Sequence, residues 1–237
     1  MTATDVRALL FDTFGTVVDW RAGLISSMQA WGLARGITAD WPGLADAWRA
    51  AYVPSMAKVR TGERGWADLD VLQRESVEIL APEFGAVGLD GAALDELVRM
   101  WHALPPWPDS VQGLSRLRTR FVIAPLSNGH VALLVRLAKT AGITWDAVFG
   151  ADVFRHYKPD PETYLGATGL LGCEPSQVML VAAHASDLDA AARCGLRTCH
   201  VSRPWEYGPG RVVEKPEARR FDVMVDDLQE LAQVMGC

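Results

Sequence analysis

Four groups of polar residues stand where apolar runs stop, and their types suit a site for a charged small molecule. Asp12 follows the run ending at Phe11, and Ser127-Asn128-Gly129 follow the run "IAPL". Lys158 sits in "RHYKPDPETY", and Asp187 lies in "LVAAHASDLDAA", just past a run ending "LVA". A carboxylate that closes a buried run is costly unless something there pairs or uses it. Singly, each residue has a plainer reading: a helix cap for Asp, a turn for Ser-Asn, a solvated charge for Lys. Together, at strand ends and in this order, they favour one crevice in which two carboxylates, an ammonium, a hydroxyl and an amide converge.

The elements that must position them follow from the apolar pattern. The runs Val6–Phe11, Phe121–Leu126, Val178–Ala182, Arg197–Val201 and Phe221–Val225 are continuous rather than alternating, as in parallel strands buried on both faces. Helical patterns at Asp109–Thr119, His130–Ala141, Pro161–Leu171 and Asp187–Cys194 lie between them. The alternation predicts an α/β fold: a doubly wound, Rossmann-like parallel sheet with right-handed crossovers. Ligands of such sheets sit at the carboxyl ends of the strands. Residues 21–104 break the rhythm with helical patterns alone, including Trp41–Lys58, Leu69–Leu80 and Ala92–Trp101. They read as an all-helical domain inserted after the first strand, with residues 1–20 and 105–237 forming the α/β core. Six tryptophans fall between Trp20 and Trp101. They read as helix packing or a dimer face, with an apolar pocket wall as the sharper alternative.

Composition narrows the partners. A net charge of -6 over 237 residues argues against nucleic acid or an anionic membrane as the main partner. No apolar run reaches the roughly 18 residues of a membrane span, and no signal-peptide pattern opens the chain. Cys173, Cys194, Cys199 and Cys237 form no CxxC pair, so reduced thiols in a cytoplasmic protein are expected. The five histidines lack ligand spacing, so no histidine metal site is expected. No GxSxG elbow surrounds Ser127, which argues against a serine hydrolase. The loop "SRPWEYGPG" (Ser202–Gly210) reads as plain surface, with a site edge or a dimer contact as alternatives.

The succession "FDTFGT", "LSNG", "YKPDPETY", "VAAHASD" resembles the haloacid dehalogenase superfamily, and within it the L-2-haloacid dehalogenase branch. The resemblance covers nearly the whole chain, including a helical cap after strand one. It implies hydrolytic dehalogenation of a small halocarboxylate, without metal or cofactor, through an ester of Asp12. Phosphatases of the superfamily read DxDxT where this chain has Phe14, and their second Asp protonates a leaving alcohol. A halide needs no such proton. Their magnesium-binding Asp corresponds to Ala183, with only Asp187 kept. By the resemblance, Lys158 keeps Asp12 ionised and Thr16 orients it. Ser127 and nearby amides hold the substrate carboxylate. Arg49, in "LADAWRAAY", takes the halide with Asn128. Tyr164 positions Lys158 or Asp187, and Asp187 holds the hydrolytic water. Homodimers, common in the family, are compatible with the tryptophan-rich cap.

There is one departure. The branch commonly reads Ser-Ser-Asn-Ala-Trp-Asp where this chain has Ala182-Ala183-His184-Ala185-Ser186-Asp187. His184 is expected in the water shell, as a donor to Asp12 or partner of the water, against a plain packing role. Its bulk would tighten the crevice and favour haloacetates, including fluoroacetate. A magnesium-dependent phosphatase and a non-catalytic small-anion-binding protein are the alternatives.

Overall fold

The structure is a computed structural model that describes residues 5–237, so the first four residues of the expected core segment lie outside it. Strand β1 (Ala8–Phe11) is buried along its whole length. Alternate side chains serve two cores: Leu9 and Phe11 face one apolar cluster, Ala8 and Leu10 the other. That two-sided burial explains the uninterrupted apolar run.

The other strands are β2 (Val122–Ser127), β3 (Phe149–Gly150), β4 (Val178–Ala182), β5 (Arg197–Val201) and β6 (Val223–Val225). They form one parallel sheet in the order β3-β2-β1-β4-β5-β6. Leu10 on β1 lies between Ala124 of β2 and Leu180 of β4. The chain winds outward one way through β2 and β3, then the other way through β5 and β6. The crevice of this doubly wound sheet therefore opens above the carboxyl ends of β1 and β4. The fold class read from the sequence is the one found. Strand β3 escaped notice because two residues carry no periodicity.

Between β1 and β2 run α1 (Trp20–Arg35), α2 (Trp41–Arg60), α3 (Leu69–Glu83) and α4 (Gly91–Arg99), then a 3-10 turn, Met100–Ala103. Each of the four helices starts on an aspartate. Asp19, Asp40, Asp68 and Asp90 accept hydrogen bonds from the N–H groups of Ala22, Gly43, Val71 and Ala93. Helices α5 (Ser110–Leu117), α6 (Val131–Ala141), α7 (Ala151–Phe154), α8 (Pro161–Leu170), α9 (Ala185–Arg193) and α10 (Leu228–Val234) complete the chain. Among the described residues no helix is long and apolar enough to cross a membrane. The four cysteines are free thiols.

The helical segment shares a core with the sheet: one apolar cluster runs from Leu9 and Phe11 through Trp48 to Leu97. Trp101 is its hub. It stacks on Trp20 (centroids 6.3 Å apart) and meets Trp48 and Phe14 edge-on, each at 5.6 Å. Trp48 and Trp101 are therefore packing residues, whereas Trp20 also reaches a cavity described below. Trp101→Ala would empty this hub and lower unfolding free energy by about 3–5 kcal/mol. Denaturant titration checks this; a loss below about 1 kcal/mol would show the hub to be slack.

Candidate active site

Asp12 leaves β1 at the switch point, its N–H still bonded to Val181 O of β4 (3.0 Å). The chain then turns back, and Thr13 O accepts from the N–H groups of Val17 and Val18. This brings Thr16 under the carboxylate. Thr16 Oγ1 donates to Asp12 Oδ2 at 2.8 Å and accepts from Ala183 N at 2.9 Å, so one hydroxyl ties the β1 and β4 loops together. Arg203, past β5, braces the same turn: Nε donates to Thr16 O (2.9 Å) and its fork grips the buried Asp109 (2.8 and 2.7 Å).

Lys158 comes from the loop before α8. Its Nζ donates to Asp12 Oδ1 at 2.8 Å and also bonds Asp187 Oδ2. Asp187 lies in the first turn of α9, and its other oxygen accepts from Tyr164 at 2.5 Å. His184, at the N-cap of α9, places Nδ1 3.0 Å from Asp12 Oδ2. Its Nε2 is 3.0 Å from both oxygens of Glu206. Glu206 is only 2% exposed and also accepts from Trp20 Nε1 at 3.0 Å.

Burial alone would raise the Asp12 carboxyl, but the Lys158 ammonium and the His184 ring hold it well below the usual carboxylate range. Burial would likewise strip Lys158 of its proton; Asp12 and Asp187 keep it above its ordinary value. His184 follows the same logic. Against burial, its hydrogen bonds to Asp12 and Glu206 push it up to about 10. Three carboxylates thus meet two cations, leaving one negative charge in excess.

Arg49 restores the balance. Its Nε is buried without a hydrogen-bond partner, and its guanidinium lies 4.5 Å from the Tyr52 ring centre and 5.5 Å from that of Trp20. It lines a cavity of about 880 Å³ whose floor is Asp12, Lys158, His184 and Asp187. One face of α2 (Asp46, Arg49, Val53, Met56, Arg60) covers that cavity at helical spacing, and Arg211 stands at its edge. Phe14 also lines it, pressed edge-on against Trp101 and Tyr52 (5.6 and 6.4 Å). Asn128 Oδ1 accepts from Lys158 N at 2.7 Å, which fixes the amide with its NH2 group turned as a donor toward the Tyr52 hydroxyl.

The sequence-selected residues thus gather around Asp12, with two differences. Ser127, expected to hold the substrate carboxylate, lies off the cavity lining, as does Tyr164, whose hydroxyl reaches Asp187. Ser127 is buried, and its Oγ accepts from Gly129 N (3.1 Å), shaping the turn; Tyr164 is fully buried behind Asp187. Nor is the cavity as a whole tight, although His184 does sit against Asp12.

Glu206, Tyr52 and Arg203 were missed. Glu206 and Arg203 sit in the strand-end loop after β5, so the rule that picked Asp12 and Asp187 points to them too. Gly15 carries a hidden sign of Glu206. It has φ +88°, and a Cβ there would come within 2.3 Å of Glu206 Oε1.

The family model for haloacid dehalogenase-like hydrolases matches residues 6–195. A solved structure of a defluorinating L-2-haloacid dehalogenase is 43% identical, with a TM-score of 0.93 over 98% of this chain and 96% of that one. Another L-2-haloacid dehalogenase structure is 46% identical, with a TM-score of 0.92 over 96% and 97% of the two chains. An (S)-2-haloacid dehalogenase of Xanthobacter autotrophicus is 30% identical over 84% of this chain and 76% of its own length. The chain belongs to the haloacid dehalogenase-like hydrolases.

The His184 pairing has a pH signature. Its folded pKa of about 10 exceeds the unfolded value near 6.5, so its stabilisation is complete below about pH 6.5 and fades as pH rises through 10. Imidazole nitrogen NMR should find His184 protonated at pH 8 and Glu206→Gln should lower its pKa. Titration near 6.5 in the unaltered protein would refute the pairing.

Proposed function

We propose that the protein hydrolyses short 2-haloalkanoic acids to 2-hydroxy acids through an ester of Asp12. The single observation that carries this reading is the anionic Asp12 on the cavity floor, held by Lys158 and His184, with Phe14 where an alcohol's proton donor would stand. One Asp12 oxygen attacks C2 in line, and the carbon–halogen pair leaves with the halide. Water then adds at the Asp12 carbonyl carbon. The carboxylate returns, the 2-hydroxy acid departs and one proton is released. Attack from the rear inverts C2, so an L substrate gives a D product.

The roles follow from position. Lys158 and Thr16 hold Asp12 ionised and aimed; Asp187, backed by Tyr164, holds Lys158 and abuts the water. Arg49 and the Asn128 NH2 group are donors for the halide, with Ser127 shaping the turn whose amides hold the substrate carboxylate. Esterification removes the charge on Asp12, one of the two supports of the His184 proton. The ring then becomes more acidic and gives its Nδ1 proton to solvent; with Nε2–H still held by Glu206, the freed Nδ1 takes a proton from the attacking water, and the imidazolium is restored when the Asp12 carboxylate returns. We extend the proposal to haloacetates, fluoroacetate included, since an Arg without a carboxylate partner suits a poor leaving group. The similarity to a defluorinating enzyme adds support. A magnesium site fits the residues poorly: the remaining carboxylates, Asp12 and Asp187, are bridged by the Lys158 ammonium and the third position is Ala183. Residues 21–104 act as the cap over the core, with α2 as its lid on the cavity.

Halide release from fluoro-, chloro- and bromoacetate and both 2-chloropropionates, with chelator present, tests the reaction. Release of halide from the haloacetates and the L enantiomer is expected, with heavy oxygen from solvent water entering Asp12. His184→Ala should slow turnover by roughly 10²-fold or more and accumulate the ester in intact-mass spectra. Magnesium-dependent phosphate release without halide release would establish the phosphatase instead; anion binding without turnover, a binding protein.

The proposal places the enzyme in the cytoplasm as a homodimer. Light scattering on the purified chain should give twice the 25.9 kDa protomer mass, and a monomer would remove the dimer from it.

A further inference from the structure

A second polar cluster lies off the cavity lining, where the helical segment meets the loop after β2. Asp70 is in the first turn of α3, His102 in the 3-10 turn after α4, and His130 at the N-cap of α6. His102 Nε2 is 2.9 and 3.1 Å from the two Asp70 oxygens, and His130 Nε2 is 3.7 Å from Asp70 Oδ2. The two imidazole rings meet edge-to-face at 5.7 Å, and the three candidate ligand atoms all lie within 4.8 Å of one another. Both histidine side chains are nearly buried (5% and 12% exposed), whereas Asp70 is 32% exposed and opens the cluster to solvent.

We propose that Asp70, His102 and His130 bind a divalent cation of the zinc type. Simple pairing explains His102 with Asp70 but leaves His130 unexplained. Its Nε2 stands beyond hydrogen-bond range of Asp70, and its buried Nδ1 has no partner, yet the ring points into the cluster. Two imidazole nitrogens and one carboxylate oxygen suit zinc and its neighbours, and ill suit magnesium or calcium, which prefer oxygen alone. Ligand atoms around a tetrahedral zinc lie about 3.3 Å apart, and the separations of Asp70 Oδ2 from the two imidazole nitrogens, 3.1 and 3.7 Å, bracket that value. The exposed side beside Asp70 leaves room for water as the fourth ligand. Neither Nδ1 has the carbonyl or carboxylate that usually supports a ligating histidine, so binding is weaker than at a closed structural site. The ion would tie three elements together, and through His130 it would brace the turn that carries Asn128.

The test uses the full chain, stripped with chelator and titrated with zinc chloride by calorimetry. One ion per chain is expected, with a rise in Tm, and cobalt(II) should give the visible bands of a four- or five-coordinate site. Asp70→Asn and His130→Asn, both conservative and neither fully buried, should weaken zinc binding by at least tenfold and abolish the Tm rise. His156→Asn, at the exposed His156–Asp160–Glu162 group, should leave both unchanged. Absence of stoichiometric uptake would overturn the proposal. So would uptake that survives Asp70→Asn and His130→Asn, uptake lost with His156→Asn, or an equal Tm rise with magnesium.

Discussion

The ion pair between Asp12 and Lys158 sets the terms for the rest of the site. A carboxylate at the end of a fully buried central strand would ordinarily protonate or destabilise the fold. One ammonium is not enough here, because Lys158 is shared with Asp187. Asp12 therefore collects donors from three separate loops: Lys158 before α8, His184 after β4, and Thr16 on its own turn. The doubly wound sheet lets such loops meet, since it brings the ends of β1 and β4 side by side. Each loop is in turn anchored, Lys158 through its backbone to Asn128, Thr16 through Arg203 to Asp109, and Asp187 by Tyr164.

The Asp12–His184–Glu206 line gives the site a second property. A histidine between two carboxylates is protonated while both are charged, and it is sensitive to either losing its charge. In the proposed reaction Asp12 loses its charge on esterification, so the same contact that holds the resting nucleophile readies the ring for water. This arrangement also explains Gly15. The glycine stands in the turn that follows Asp12, yet what it makes room for is a carboxylate almost two hundred residues further along the chain. It sits at positive φ as well, where a side chain would be strained.

How much was legible depended on how local the signal was. The strands β1 and β4 announced themselves because burial on both faces makes an unbroken apolar run. Asp12, Lys158 and Asp187 were legible because each follows or flanks such an element in a recognisable motif. Glu206 was hidden by its setting: Trp205, Tyr207, Gly208 and Pro209 look like surface-loop chemistry, and the partner that gives the acid a purpose, His184, lies on another loop. Ser127 and Tyr164 lie behind the cavity lining rather than on it, because motif position does not reveal which side chain faces the cavity. The histidine pair shows the same limit. His102 and His130 have no ligand spacing along the chain, and only the packing of α4 and its 3-10 turn on α6 brings their rings together.

The helical segment contributes more than a cover. Its helix α2 presents one face to the cavity and, through Arg49, supplies the cation that offsets the excess negative charge on the floor. That placement requires α2 to be fixed relative to Asp12 with little slack, since among the described residues no carboxylate pairs with Arg49 to hold it. The aromatic hub does this: Trp48 is the residue before Arg49, and it packs on Trp101, which packs on Phe14, two residues from Asp12. Apolar contact, which is insensitive to charge, thus sets the distance between the two halves of the electrostatic site. Asp12 and Arg49 are held apart by three aromatic rings, and in the proposed reaction substrate is the group that bridges them. Phe14 therefore does two things at once: it gives the cavity an apolar wall beside Asp12 and completes the spacer that keeps Arg49 above the floor.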